Sequence, residues 1–296
     1  MKFFLNLKAK KLLIILILML LIILHKIIFN SKNIKVCLCV LAKLENKYII
    51  QYIEHYKKIG VDKMFIYDNN DLNGEKFDFV LLEYIKKKYV EVINFRGKIS
   101  PQIKMLNDCY KKNNKNYDWF ILFDSDEYIE LKYFNNIKLF LNQKKFNKCD
   151  IIYFRRAFQI DANKIKYENK SLSERFTTSV YPVLTYKPIL KGNISNLHIH
   201  GVHRINSKLK FCNSFGKSKD KTPDFKVNFI KHYCFKSTEE FIEKINRGDG
   251  VFNNTEGLKL NKIYFYFKYN KMTLEKINYI ENKTGISLLS LKKKLK

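Results

Sequence analysis

Short apolar runs alternate with longer amphipathic segments along the first half of the chain. Four of these runs have the length of buried strands and lie at residues 36–42, 63–67, 89–95 and 119–123. The segments between them carry apolar residues at helical spacing and predict helices at residues 46–59, 77–87 and 101–115. Strands that alternate with helices in this way predict an α/β fold, with a mostly parallel sheet flanked by helices on both faces.

The second half of the chain has a weaker pattern. It predicts strands at residues 150–158, 179–186 and 198–205, helices at residues 241–246 and 273–286, and a solvated lysine-rich tail at residues 292–296. No flexible linker interrupts the chain near residue 140, so we predict one domain over residues 36–250. Residues 251–296 are predicted to form a C-terminal helical extension.

Residues 1–35 have the composition of a membrane anchor. Several lysines precede an apolar run that extends from Leu12 to Phe29 with one short polar interruption. This run has about 18 residues, near the minimum that spans a bilayer as a helix. No small-residue cleavage site follows it, which favours an uncleaved anchor over a signal peptide. Because lysines lead the segment, we expect a single-pass membrane protein with a cytoplasmic N-terminus, of the Golgi or ER type if the source is eukaryotic.

The chain of 296 residues carries a formal net charge of +28 at pH 7. Such a charge suits a nucleic acid or an anionic surface, but the lysines are dispersed instead of gathered with aromatic residues on one face. An abundance of residues with AT-rich codons accounts for the excess of lysine, so we expect no nucleic-acid partner. A non-catalytic binder of nucleic acid or anionic surfaces is the alternative from another functional class.

The six cysteines have neither zinc-ligand nor redox spacing. Cys37 and Cys39 share one face of the first predicted strand, and the other four are far apart in the sequence. We expect small core residues, or disulfides if the domain lies in an oxidising compartment.

The fourth apolar run ends abruptly in three carboxylates, Asp124, Asp126 and Glu127. Carboxylates at the end of a buried strand need a cationic partner, and the alternation of side chains along an extended chain points Asp124 and Asp126 to the same side. That pair suits one hard divalent cation, Mn²⁺ or Mg²⁺, whose remaining positions accept the phosphates of a substrate. The same short pattern is also common in solvated turns and at helix starts, and the local sequence leaves both interpretations open.

Polar residues follow three of the predicted strands at the point where each strand ends. They are Asp68, Arg96 and Asp124. Because ligands of parallel sheets bind beyond the carboxyl ends of the strands, we expect these side chains to share one crevice. This convergence favours a binding site over an isolated turn. A metal-dependent phosphoesterase built on Asp124 and Asp126 is an alternative enzyme class.

Motifs spread along the chain resemble, in their order, those of family 92-like and related family 2-like glycosyltransferases. They are LAKLENKYI (41–49), EHY (54–56), GVD (60–62), IYDN (66–69), FDSDEY (123–128) and HYCFKS (232–237), together with Gln102, Lys244, Arg247 and Gly248. The resemblance covers about residues 36 to 250. It implies a GT-A, Rossmann-like fold, a nucleotide-sugar donor such as a UDP-sugar, a glycan or glycoconjugate acceptor, a divalent cation that is usually Mn²⁺, and inversion at the anomeric carbon.

The resemblance also implies roles for individual residues. Asp124, Asp126 and Glu127 form the expected catalytic centre, in which Asp124 and Asp126 hold the Mn²⁺ or Mg²⁺ ion. A later histidine completes the metal shell in many enzymes with this fold, and His200 is the best match by position, followed by His203. The residues expected to bind the donor are Glu45, Asp68, Asn69, Gln102 and Arg247.

Three further cations, Arg175, His232 and Lys236, are candidates to bind the diphosphate or the acceptor. Cations suit phosphate oxygens, although exposed salt bridges are the plain alternative for each of them. An inverting base would be an Asp or Glu beside an acceptor hydroxyl. The resemblance does not assign this base. Asp161 and Glu174 are named without its support, because the segment between them departs from the glycine-containing loop expected of the family.

Overall fold

The computed structural model of the chain describes residues 11–20, 33–178, 180–203, 205, 208–218, 227–248 and 255–295. Residues 11–20 form the first helix, α1. The next strands in the chain are β1 (Val36–Ala42), β2 (Lys63–Asp68), β3 (Val90–Asn94) and β4 (Trp119–Ile121). β1 pairs in parallel with both β2 and β4, and β2 pairs in parallel with β3. These strands confirm the four that the apolar runs predict.

The helices of the first half lie close to the predicted positions. They are α2 (Ile49–Lys58), α3 (Phe77–Val80), α4 (Leu82–Lys86) and α5 (Gln102–Asn113). α2 ends just before Gly60, whose φ of 92° is the left-handed conformation that stops a helix. The single helix predicted at residues 77–87 is divided into α3 and α4, and Leu81 separates them.

The remaining strands of the described residues are β5 (Glu127–Leu131), β6 (Ile151–Gln159), β7 (Val180–Lys191), β8 (Phe211–Asn213) and β9 (Asn228–His232). The nine described strands form one sheet with the order β3-β2-β1-β4-β7-β6-β9-β5, and β8 pairs with β6. β7 is antiparallel to both β4 and β6. The sheet is therefore parallel in the first half and mixed in the second.

Two details of the second half differ from the prediction. No strand forms at residues 198–203, although a strand is predicted at residues 198–205. β5 and β9 are not predicted, and they pair antiparallel across about 100 residues of sequence, with Glu127 opposite His232. A pairing between segments so distant in sequence leaves no local periodicity that would indicate it.

The described helices of the second half are α6 (Ile137–Leu141), α7 (Leu172–Arg175), α8 (Thr238–Arg247), α9 (Glu256–Tyr269), α10 (Leu274–Thr284) and α11 (Leu289–Lys293), with a 3₁₀ turn at Lys144–Phe146. The hydroxyl of Ser237 accepts a hydrogen bond from the backbone of Glu240, whose carboxylate accepts one from the backbone of Ser237. This capping box fixes the start of α8. The predicted domain boundary at residue 250 lies outside the described residues.

β1 lies in the centre of the core. Val36, Leu38 and Val40 belong to a hydrophobic cluster on one face, whereas Cys37 and Cys39 belong to a cluster on the other. Helices therefore cover both faces, as predicted, and the central strands are buried on each side. The loops that follow these strands carry the polar residues at the edge of the sheet.

Four cysteines form two disulfides. Cys39 of β1 is bonded to Cys109 of α5, and Cys149 is bonded to Cys212 of β8. The free thiols of Cys37 and Cys234 are buried. The expectation of disulfides is thus confirmed for four cysteines, and the expectation of packing in the core is confirmed for the other two.

The predicted membrane anchor is described only in part. α1 covers residues 11–20, while residues 1–10 and 21–32 lie outside the described residues. Among the residues that are described, no helix has the length and apolar character needed to cross a membrane. The anchor and the orientation of the chain stay predictions.

Candidate active site

A cavity of about 530 Å³ lies where β1, β2 and β4 end. Ala42 lies beside Asp68 in the sheet, and Asp68 lies beside Asn94, so β1, β2 and β3 end at the same edge. The predicted site residues that line this cavity are Asn69, Gln102, Asp124, Asp126, His232 and Arg247. A smaller cavity of about 240 Å³ includes Lys236 and shares Lys244 and Arg247 with the first. Of the three residues predicted to share a crevice at the strand ends, Asp124 lines this cavity, whereas Asp68 and Arg96 do not.

Asp124 is held by two side chains from different parts of the fold. Its Oδ2 accepts a hydrogen bond from Nζ of Lys187 at 2.6 Å, and its Oδ1 accepts one from Nε2 of Gln102 at 2.6 Å. Burial acts to raise the pKa of Asp124, but the Lys187 ammonium outweighs it and holds the pKa below its usual value. Asp124 is therefore an anion that faces the cavity with a fixed orientation.

Asp126 has two other cationic or donor neighbours. Nζ of Lys244 lies 2.5 Å from Oδ2, and Nε2 of His232 lies 3.2 Å from Oδ1. Burial alone would raise the pKa of Asp126, but Lys244 and His232 hold it well below its usual range. The backbone oxygen of Asp126 accepts from the backbone of Tyr233, so α8 and the end of β9 both fix this loop.

Glu127 does not line the cavity. Its side chain is 0% exposed, with Oε1 at 3.0 Å from Nη1 of Arg156 and Oε2 at 3.0 Å from the backbone nitrogen of Asp124. Nζ of Lys187 lies 3.4 Å from Oε2. The carboxylate of Glu127 is thus surrounded by protein donors on the inner side of Asp124 and Asp126.

Glu45 is buried beside the cavity against two cations. Oε1 accepts a hydrogen bond from Nη1 of Arg247 at 2.6 Å, and Oε2 lies 3.8 Å from Nζ of Lys236. Burial opposes ionisation of Glu45, but Lys236 and Arg247 lower its pKa. Lys236 has a positive φ of 53° and its ammonium lies over the ring of Tyr48 at 3.5 Å from the centroid. Glu45 therefore sets the positions of two cations at the junction of the cavities.

Asp68 shapes the wall that follows β2. Its Oδ2 accepts a hydrogen bond from Nη1 of Arg96 at 2.6 Å, and its Oδ1 accepts from the backbone and side chain of Asn70. Arg96 also donates to the backbone oxygens of Asp71, Glu75 and Gly74. Asn69 and Asp71 are the residues of this turn that line the cavity, whereas Asp68, which was predicted to bind the donor, does not.

Arg175 lies away from this cavity, and so do the three histidines at positions 198, 200 and 203. Both terminal nitrogens of Arg175 donate to the carboxylate of Glu240, and both side chains are buried. His200 is exposed, with its ring 4.6 Å from that of His198, and Nδ1 of His203 lies 2.7 Å from the backbone oxygen of Tyr186. The imidazole that does contact a carboxylate of the cavity belongs to His232.

The two candidate bases also have other partners. Asp161 is buried, and its Oδ2 lies 2.5 Å from Nζ of Lys276. Glu174 completes a capping box with Ser171 at the start of α7. Neither carboxylate lines the cavities around Asp126.

Three cations that contact Asp124, Asp126 or Glu127 were given no role from the sequence. They are Arg156 on β6, Lys187 on β7 and Lys244 on α8. Lys244 follows Asp126 by more than 100 residues, and only the fold brings them together. A weak signal exists for Arg156, because arginine is rare in this lysine-rich chain. No such signal exists for Lys187, because a lysine near the end of a strand is usually exposed.

The side chains of the cavity suit a divalent cation. Asp124 and Asp126 offer carboxylate oxygens to the same space, and an imidazole nitrogen of His232 lies beside Asp126. The described part of the chain contains no group of three or more His, Cys, Asp or Glu residues arranged to hold a metal ion. Two carboxylates leave most positions of a Mn²⁺ or Mg²⁺ ion for water and diphosphate oxygens, so the residues fit such an ion.

Three solved structures share a low level of similarity with the chain. Crystal structures of S. aureus TarS 1-349, alone and in complex with UDP-GlcNAc, are each 13% identical, with TM-scores of 0.39. The first match covers 82% of this chain and 76% of TarS, and the second covers 85% and 80%. UDP-glucose pyrophosphorylase complexed with UDP-glucose is 13% identical over 85% of this chain and 98% of that one, with a TM-score of 0.27. TM-scores below 0.5 do not establish a shared fold.

The sequence itself gives the decisive comparison. No curated protein matches the chain. The profile of glycosyltransferase family 92 matches residues 32–280, which includes every strand of the described sheet and all of the residues around the cavity. The chain therefore belongs to glycosyltransferase family 92 and is a glycosyltransferase.

Proposed function

We propose that the 530 Å³ cavity binds a nucleotide-sugar, most simply a UDP-sugar, and that the chain transfers its sugar to a glycan or glycoconjugate acceptor. The observation that carries this proposal is the pairing of acids and cations on one cavity. Asp124 and Asp126 face the same space as Lys244 and Arg247. The acids suit a divalent cation, and the cations suit the diphosphate of a donor.

The part of the cavity between β2 and α5 offers hydrogen bonds to a nucleoside. Asn69, Asp71 and Gln102 line it from the ends of β2 and the start of α5. The amide of Asn69 donates to the backbone oxygens of Phe95 and Lys98, which fixes its orientation. Amides and a carboxylate held in this way can recognise the ribose and the base.

Asp124 and Asp126 would hold a Mn²⁺ or Mg²⁺ ion. Such an ion, when bound, neutralises the negative charge that collects on the diphosphate as the bond to the sugar breaks. Asp126 would hold the ion with Nε2 of His232 beside it, and Asp124 would hold it with the amide of Gln102 beside it. Metal dependence is part of the proposal, and it rests on the carboxylate pair.

Cations of this chain would bind the same diphosphate directly. Lys244 and Arg247 lie on the last turns of α8 and reach both cavities. Lys236 lines the smaller cavity at their junction. Ammonium and guanidinium groups that are fixed in a cavity partly shielded from solvent stabilise a leaving diphosphate more strongly than in bulk solvent. We propose that these three residues stabilise the leaving group.

We further propose inversion at the anomeric carbon. This stereochemistry needs a base that takes the proton of the acceptor hydroxyl. Asp161 and Glu174 do not meet this need, because one pairs with Lys276 and the other caps α7. The carboxylates nearest the smaller cavity are Glu75, Glu240 and Glu243. Glu243 is half exposed there and is the one whose partner, Lys47, is also exposed. It is the base candidate that the geometry favours.

The proposal is tested with the purified full-length chain in detergent. The chain is incubated with Mn²⁺ and each of a set of UDP-sugars, and the release of UDP is measured. We expect release from at least one donor, its loss on chelation of Mn²⁺, and a fall of about 100-fold or more for Asp126→Asn. Release of UMP and a sugar phosphate instead of UDP would indicate a phosphoesterase. No release from any donor, together with unchanged Mn²⁺ binding by Asp126→Asn, would contradict the proposal.

A further inference from the structure

A chain of charged and hydrogen-bonding side chains connects the two aspartates of the cavity through the protein interior. It runs from Asp124 through Lys187, Glu127, Arg156 and His232 to Asp126. We call these six residues the charge chain. Its inner members lie on four strands, β5, β6, β7 and β9. The two carboxylates proposed to hold the metal ion are thus linked through the core of the second half.

Lys187 is the first link. It is 1% exposed, and its ammonium lies 2.6 Å from Oδ2 of Asp124 and 3.4 Å from Oε2 of Glu127. A buried lysine is stable as a cation only when carboxylates compensate it. Lys187 therefore ties the orientation of Asp124 to that of Glu127.

Arg156 is the second link, and it also determines how His232 carries its proton. Nη1 of Arg156 lies 3.0 Å from Oε1 of Glu127 and 3.3 Å from Nδ1 of His232. A guanidinium only donates, so Nδ1 of His232 accepts and its hydrogen lies on Nε2. Nε2 then donates to Oδ1 of Asp126 at 3.2 Å. Arg156 thereby orients Asp126 through the imidazole.

The backbone aims Arg156 at this position. The pairing of β6 with β7 shifts register between Arg155 and Ala157, which is the mark of a β-bulge. Bulges redirect one side chain relative to the regular alternation and are frequent beside active sites. Nε and Nη2 of Arg156 both donate to Oγ1 of Thr185, at 3.0 and 2.9 Å, which fixes the guanidinium plane.

We propose that Glu127, Lys187 and Arg156 are positioning residues that fix the orientation of the Asp124 and Asp126 carboxylates toward the cavity, where a divalent cation would bind. Glu127 is not itself a ligand, because its side chain is fully buried and does not line the cavity, whereas Asp124 and Asp126 do. This assignment rests on the proposed metal-dependent transfer. Partners of this kind change metal affinity or activity by about 10- to 100-fold when they are removed.

The test is a double variant, Glu127→Gln with Lys187→Met, which removes one negative and one positive charge together. Binding of Mn²⁺ in the presence of UDP is followed by the EPR signal of the free ion, and UDP release and the melting temperature are measured on the same samples. We expect Mn²⁺ binding to weaken about 10- to 100-fold and kcat to fall by a similar factor. The affinity for UDP without metal should stay within about twofold of the wild type, because no residue that lines the cavity is changed.

A matched control is Asp161→Asn with Lys276→Met. This pair is equally buried, with Nζ at 2.5 Å from Oδ2, but it lies outside the cavity. It should lower the melting temperature without changing Mn²⁺ binding. If the first double variant does not fold, Thr185→Val replaces it, because it loosens Arg156 without removing a charge. Mn²⁺ binding is then expected to weaken by about 10-fold, the lower end of the range for such partners.

The outcomes separate the two proposals. If the wild type neither binds Mn²⁺ nor releases UDP, the proposed function fails. If the wild type does both, while Thr185→Val and every folded charge-chain variant match it in Mn²⁺ binding and kcat, the positioning role is overturned and the proposed function stands.

Discussion

Nζ of Lys244 lies 2.5 Å from Oδ2 of Asp126, and both side chains line the cavity. Burial acts to lower the pKa of Lys244, but Asp126 raises it, so the lysine stays an ammonium. This ammonium occupies Oδ2 of Asp126, an oxygen that the proposed divalent cation would use. Lys244 is therefore both a competitor of that cation for Asp126 and a group placed to bind the diphosphate.

Replacing Lys244 by methionine should change two properties in opposite directions. Mn²⁺ should bind more tightly in the absence of donor, because Asp126 loses its competing partner. The value of kcat/KM for UDP release should fall by about 100-fold, because the diphosphate loses one charged donor. Isothermal titration and initial rates measure the two effects. Lys112→Met, which removes an exposed lysine of α5 paired with Asp108, is the matched control. A fall of both quantities together would contradict the competition.

Much of the first half of the fold could be predicted from the sequence. β1 and β2 are apolar runs buried on both faces, and such runs are legible without tertiary information. Asp124 and Asp126 could be found for a related reason, because carboxylates that end an apolar run stand out. Glu127 looked like a third member of the same group, yet it points to the core. Its orientation depends on β9, which pairs with both β5 and β6, and no local sequence pattern indicates either pairing.

The cations of the site show the same limit. Arg247 and His232 line the cavity and were found through family motifs. Arg175 and His200 were named by residue type and order, but Arg175 pairs with Glu240 and His200 is exposed. A charged residue near a motif can face the cavity or the protein interior. For Arg175 the packing of α7 against α8 determines that it faces the interior. Charge and order in a sequence do not determine burial.

His55 has a structural role with a measurable pH dependence. Its Nε2 lies 3.1 Å from the backbone oxygen of Ile129, which ties α2 to β5, and burial lowers its pKa from 6.5 to about 4. Between these two values the unfolded chain binds the additional proton. Stability is therefore fully present above about pH 6.5 and declines as the pH falls toward 4, by up to about 3 kcal/mol.

Urea unfolding at pH 7 and pH 5 measures this effect. The loss of unfolding free energy between the two pH values should be smaller for His55→Gln, whose amide can donate to the same oxygen. The paired aspartates of the cavity lose their contribution only below the ordinary carboxyl range, because their pKa values are lowered. An equal pH effect in the wild type and in His55→Gln would rule out His55 as its source.

The disulfide between Cys39 and Cys109 should stabilise the parallel half of the sheet. It closes a loop of 70 residues between β1 and α5, and the chain-entropy account gives about 4 kcal/mol for a loop of this length. Replacing both cysteines by serine should lower the unfolding free energy by about this amount, less any relaxation, and should remove part of the sensitivity to reducing agents. Cys37→Ala, in the same strand, removes a free thiol and should keep that sensitivity. Equal sensitivity of all three proteins would mean that this bond does not form.

The contrast between Arg175 and Arg247 distinguishes a structural arginine from one that binds the donor. Each pairs with a buried glutamate, Arg175 with Glu240 and Arg247 with Glu45, but only Arg247 lines the cavity. Arg175→Met should lower the unfolding free energy by about 3 to 5 kcal/mol, because it leaves Glu240 buried without its partner. The folded fraction should keep a kcat within about twofold of the wild type. Arg247→Met should instead lower kcat/KM by about 100-fold. Active-site titration, which counts folded molecules, separates the two effects. A large fall of kcat in Arg175→Met at an unchanged melting temperature would place Arg175 against the substrate after all, and would require α7 to move toward the cavity when the donor binds.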